Sequence, residues 1–178
     1  MKGPFWFMFL KNFDVIHGFT IDYMHEICAG LMKMLLNFWF DKNFKDESFS
    51  LFPDKSVVNQ RLAAIKPNLH ITRPPRSLDD LCHWKSAEFR NVLLLWGVPA
   101  LDGILPQEYF RHFCLLVKGI YNLSRENISK GDLKNAEHCF SNLLNCFHIY
   151  TQKKNMTMNC HQLLLSVDSV RANGPFCQ

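Results

Sequence analysis

The chain has 178 residues, of which 48% are hydrophobic and 20% charged, a balance that suits one globular domain and excludes a disordered segment. Its net charge of +4, counted with eight neutral histidines, permits a nucleic-acid or anionic partner without requiring one. Seven cysteines, an odd number with no Cys-x-x-Cys pair, argue against a secreted disulfide scaffold and for reduced thiols in the cytosol or nucleus.

Taken in order, the chain opens with Met1-Lys2-Gly3-Pro4 and the apolar run Phe5-Trp6-Phe7-Met8-Phe9-Leu10. The run is shorter than the roughly 7–15 residues of a secretory leader and lacks a small-residue cleavage site. It reads as a short buried strand, rich in aromatics and bounded by Pro4 and Lys11. A strand needs a partner, and little else here reads as one, so the pattern points to a piece of a larger fold. No window reaches the roughly 18 apolar residues of a membrane span. Without an export signal, the sequons at Asn122, Asn127 and Asn155 read as chance matches.

Asp22 to Phe38 reads as an amphipathic helix, with Met24, Ile27, Cys28, Leu31, Leu35 and Phe38 on one stripe. A polar loop follows over 41–55. Ser56 to Ile65 reads as a short helix with Val58, Leu62 and Ile65 inward, stopped by Pro67. Between Asp54 and Asp79 stand Lys55, Arg61, Lys66, Arg73 and Arg76 and no acid, and Pro74-Pro75 keeps this arm extended. Ser77-x-x-Asp80 resembles a capping box with Asp in place of Glu.

The densest stretch comes next: Trp84-Lys85-Ser86-Ala87-Glu88-Phe89-Arg90 leads into the apolar run Val92 to Trp96, and the two read as a helix from about Lys85. Leu105-Pro106-Gln107-Glu108 opens another, with Phe110, Phe113, Leu116, Val117, Ile120 and Tyr121 inward. Ser129-x-x-Asp132 starts a third, with Leu133, Ala136, Phe140, Leu143, Leu144 and Phe147 as its stripe. A last helix covers roughly Met158 to Arg171. The expected fold is therefore mainly α.

Few residues carry chemistry by spacing. Asp22 and His25 stand one turn apart at a helix start, so Asp22 is either a carboxylate for a divalent ion or an N-cap. Glu88 is either a catalytic carboxylate or one member of a solvated cluster with Lys85 and Arg90. The arm from Arg61 to Arg76 either lies along phosphates or forms a loop whose arginines pair with Asp79, Asp80 or Glu88. Cysteines and histidines lie near one another at His25/Cys28, Cys82/His83, His112/Cys114, Cys146/His148 and Cys160/His161. They read as buried thiols and ordinary helix histidines rather than zinc ligands. Cys139 and Cys146 stand about 10 Å apart along a helix axis, too far to share an ion unaided.

The order of segments resembles animal transposase-derived proteins of the CACTA (En/Spm) type. The matching pieces are Lys2-Gly3-Pro4, Asn12-Phe13-Asp14 with Gly18-Phe19, and Asp22-Tyr23-Met24-His25 with Gly30-Leu31. Further on are Arg61-Leu62, Ile65-Lys66-Pro67, Arg73-x-Pro75-Arg76-Ser77 and Trp84 to Arg90. Pro99-x-Leu101, Tyr109-x-x-His112-Phe113 with Leu115-Leu116-Val117, Leu163-Leu164-Leu165, Val170-Arg171 and Gly174-Pro175 complete them.

The resemblance implies an RNase H-like core that cuts DNA with two divalent ions, Mg²⁺ in the parent family. It would assign Asp22 and Glu88 to catalysis and Asp22 to metal. It also implies that the core's opening strands precede Met1 and that the pattern continues past Gly174-Pro175. The expectation is thus a helical bundle-like fragment with one or two N-terminal strands, originally packed on that core. Residues 1–55 would be the end of the core region and a loop, and 56–178 a helical domain with a basic arm at 61–76. Such a fragment would hold no working metal site and no strand-transfer activity. It would retain DNA contact through Arg61, Lys66, Arg73, Arg76, Lys85 and Arg90. The alternative is a non-enzymatic helical module that binds a protein through its aromatic-rich face.

Overall fold

The computed structural model describes residues 22–67, 71, 74–146 and 158–176. Among these the chain is helical, with no strand. The strand expected over residues 5–10 lies outside the described residues, as do Arg73 and Phe147.

The first helix runs where the apolar stripe places it, but its winding differs from a regular α-helix. Tyr23–Met32 is a π-helical segment that continues into α1 (Lys33–Phe40). Its buried residues fall in two rows. Ile27, Leu31, Leu35 and Trp39 form one row and Cys28, Met32, Leu36 and Phe40 a second, each stepping by four, and none is more than 3% exposed. In an α-helix a four-residue step overshoots a full turn by about 40°, so strict fours drift off one face. The wider π turns, closed by i→i+5 bonds, wind part of that drift back.

A 3₁₀ turn (Lys42–Phe44) folds the chain back, and the Leu51 amide donates to the Trp39 carbonyl at 2.6 Å. Phe44 and Phe49 pack against Phe38, and Phe49 meets Tyr109 edge-on. Helix α2 (Lys55–Ala64) buries Val58 and Leu62 as expected. An extended strap from Pro74 to Ser77 enters a 3₁₀ turn (Leu78–His83), then α3 (Ser86–Asn91), a second π-helical segment (Val92–Trp96) and α4 (Gly97–Leu101).

Helices α5 (Gln107–Leu123) and α6 (Lys130–Cys146) form the most extensive pair, and α7 (Met158–Asn173) packs on α6 and on the first π-helical segment. A reciprocal box starts α6: the Ser129 amide donates to Asp132 and the Asp132 amide to the Ser129 hydroxyl, at 2.8 and 3.1 Å. Gly174, at φ 91°, ends α7, its amide donating to the Val170 carbonyl. One apolar core links Tyr23 to Val170, drawing on residues before and after position 55 alike.

One inward assignment is corrected. Tyr121 is 60% exposed. It stands five residues from Leu116, about 140° around the helix, whereas Tyr109, Phe113, Ile120 and Leu123 share the Leu116 side. His112 is on the buried side too, and its Nε2–H donates to the Leu143 carbonyl at 2.6 Å, tying α5 to α6.

The α5–α6 pair is close because Gly119 has no side chain. A Cβ there would lie 2.8 Å from Phe140 Cζ and 2.9 Å from Cδ1. Helix propensity alone favours Gly119→Ala by about 1 kcal/mol. Overpacking against a fully buried ring costs about 1–3 kcal/mol and wins. A urea melt should therefore show Gly119→Ala less stable than the native chain, and a gain in stability would contradict the packing.

Candidate functional site

Of the residues singled out for metal and DNA, Arg76 and Glu88 meet at the strap. Four ties hold it. The Leu78 amide donates to Asn59 Oδ1 on α2 at 2.8 Å, and Asn59 Nδ2 donates to Asp79 at 3.2 Å. Lys55 Nζ lies 2.8 Å from Asp79 and holds the pKa of that carboxyl below its ordinary value, with Ser77 adding to the effect. The Trp84 indole N–H donates to the Ser77 carbonyl at 3.2 Å. Arg76 completes the set, with one guanidinium nitrogen 3.3 Å from Glu88 and another 3.5 Å from Asp80.

The expected Ser77–Asp80 box is replaced by a tighter arrangement. Ser77 Oγ accepts from the Asp79 amide at 3.1 Å and donates to the Asp79 carboxylate at 2.8 Å. The turn is 3₁₀, with three residues per turn, so Asp80 points elsewhere and meets Arg76.

Glu88 is only 2% exposed. Its Oε2 accepts the Lys85 amide at 2.7 Å, half of a capping box at the start of α3, and Oε1 faces Arg76. Trp84 and Phe89, both buried, pack on each other beside it. The dense Trp84–Arg90 stretch is thus a helix start built around a buried carboxylate that faces Arg76.

Asp22 is the N-cap of the first π-helical segment. Its Oδ1 accepts the Met24 and His25 amides at 3.0 and 3.1 Å, and Oδ2 meets His25 Nδ1 at 2.6 Å. The His25 contacts hold its carboxyl below the ordinary range, while burial, and then the charge of Asp22, push Glu26 up. The oxygens of Asp22 thus meet amides and an imidazole, and those of Glu88 an amide and a guanidinium. Among the described residues no group of three His, Cys, Asp or Glu side chains is placed to hold a metal.

The six predicted DNA cations part company. Arg61 donates to the Ala100 and Asp102 carbonyls at 3.2 and 2.6 Å, satisfying the end of α4. Arg76 is paired as described. Lys66 and Lys85 are exposed, Arg90 is half-buried, and Arg73 lies outside the described residues. Sequence reasoning missed Lys55 and Asn59 as anchors of the strap; their spacing of four on α2 was the available signal.

Cys28 and Cys139 are buried, and burial pushes Cys139 and Cys114 upward. Exposed Cys82 lies 3.3 Å from His83 Nδ1. No helix among the described residues is long and apolar enough to cross a membrane. No family model, curated protein or solved structure matches the chain.

Two outcomes follow. Arg76→Ala leaves Glu88 buried without its cation and should cost about 2–3 kcal/mol. Glu88→Gln keeps the bond to the Lys85 amide, and in a double-mutant cycle the two changes should couple by about 1–2 kcal/mol; additive effects would mean the pair is not formed. Asp22→Ala should cost about 1 kcal/mol through lost capping. Because the Asp22 carboxyl titrates lower in the folded state, its stabilisation is present above the ordinary carboxylate range and is lost as pH falls below about 4. The gap between native and Asp22→Ala melts should close on acidification.

Proposed function

We propose that this chain is a non-catalytic helical domain derived from a CACTA-type DNA transposase, and that what it retains is DNA contact through α2, the strap and the start of α3. The observation that carries the reading is that both acids of the would-be metal site serve as structural carboxylates, Asp22 as a cap and Glu88 as the buried partner of Arg76. Binding remains once chemistry is set aside. Lys66 and Lys85 flank the strap in sequence and are exposed, whereas the Arg61 guanidinium is held by carbonyls at the end of α4.

Each phosphate contact contributes about 0.9 to the slope of log affinity against log salt. Lys66→Ala with Lys85→Ala should therefore flatten the slope by roughly two on a short duplex. Arg61→Ala should leave the slope unchanged while lowering stability, because its guanidinium is spent on the end of α4. Salt-independent binding, or none, would reject the reading.

A second reading is a helical protein-interaction module. It is favoured by exposed Leu164 and Leu165 on α7 and Tyr121 on α5. Association through those residues would be insensitive to salt, which separates the two readings in the same titration.

A further inference from the structure

We infer that Asp79 and Asp80 form an internal phosphate mimic that keeps the strap's cations occupied, so that a polyanion must displace them to bind. The inference rests on the DNA reading above and supplies its regulation.

The geometry divides the strap's ion pairs into two kinds. Glu88 is shielded from water and bonded to the Lys85 amide, so its hold on Arg76 is a permanent part of the fold. The outer pairs are different. Asp79 and Asp80 have side chains 70% and 60% exposed, and they face Lys55 at 2.8 Å and Arg76 at 3.5 Å. Ion pairs in water are weak and exchange readily. Carboxylate and phosphate oxygens accept the same donors, a guanidinium fork or an ammonium. A duplex phosphate could therefore take the place of either acid without any change in the cation's own position.

The backbone of the strap does not depend on these acids alone. The Leu78 amide is held by Asn59 Oδ1 and the Ser77 carbonyl by the Trp84 indole. Neutralising the acids thus changes charge at a site that stays built.

The test is the affinity of the folded full chain for a short DNA duplex, followed by fluorescence anisotropy across a salt series. Asp79→Asn with Asp80→Asn is compared with Asp46→Asn with Glu47→Gln, which makes the same charge change in a different exposed turn. The strap variant should bind about tenfold more tightly than the native chain and steepen the salt slope by up to about two, as Lys55 and Arg76 reach phosphate. The control pair should gain far less. Lys55→Ala placed in the strap variant should remove much of the gain.

Should the double variant fold poorly, Asp80→Asn alone, whose side chain meets Arg76, carries the same test. A native chain that binds with a salt slope, with strap and control variants equal in affinity, would overturn the mimic and leave the DNA reading standing. No binding by any of the proteins would overturn both.

Discussion

A carboxylate cannot stay ionised in an apolar interior without a cation and a donor, and the arrangement around Glu88 follows from that requirement. Phe89 and Trp84 bury the start of α3, and Glu88, lying between them in sequence, is drawn in with them. It meets one donor, the Lys85 amide of its own helix, and one cation, the Arg76 guanidinium of the strap. The proline-stiffened strap is thereby fixed against α3, and Asn59 and Lys55 fix it against α2. Residues that look from composition like a cationic arm for solvent or nucleic acid are in large part the fastening between two helices.

The other half of the molecule is held by close approach rather than charge. Phe140 lies over Gly119, and His112 reaches across to the Leu143 carbonyl, so α5 and α6 are joined by one steric fit and one buried hydrogen bond. Trp39 meets Phe113 edge-on from α1, which brings the first helix onto the same pair. Gly97, whose Cβ would collide with the Val92 carbonyl and with Phe113, lets the second π-helical segment pass over α5. Among the described residues, Trp39, Phe113 and Phe140 are spent on these internal contacts.

The sequence announced local features well. Asp22 could be read as a cap from its place before an apolar stripe, and Ser129 with Asp132 as a box, because both signals are complete within four residues. The stripes of α2 and α5 were legible too, apart from Tyr121, where adjacency to Ile120 concealed a large angular offset. The π winding was not legible, since it depends on how two four-residue rows meet neighbouring helices. Nor was the choice of partner for Arg76: Asp79, Asp80 and Glu88 were all within reach on paper. The packed fold gives Arg76 both Glu88 and Asp80 and leaves Asp79 to Lys55.

The stack of Tyr23 on Phe176, with centroids 4.8 Å apart and planes within 8°, joins the first described helix to the last, and the Phe176 amide is tied to Leu123 as well. This contact closes a loop that contains nearly all the described chain, and closure entropy grows with loop length. The α5–α6 hairpin, made of neighbours in sequence, has no such barrier and is the natural place for folding to begin. The aromatic clasp then belongs to the last stage of assembly. A residue ordered after the rate-limiting step governs how fast the native state opens, not how fast it forms, so weakening this clasp shortens the lifetime of the folded protein without slowing its appearance.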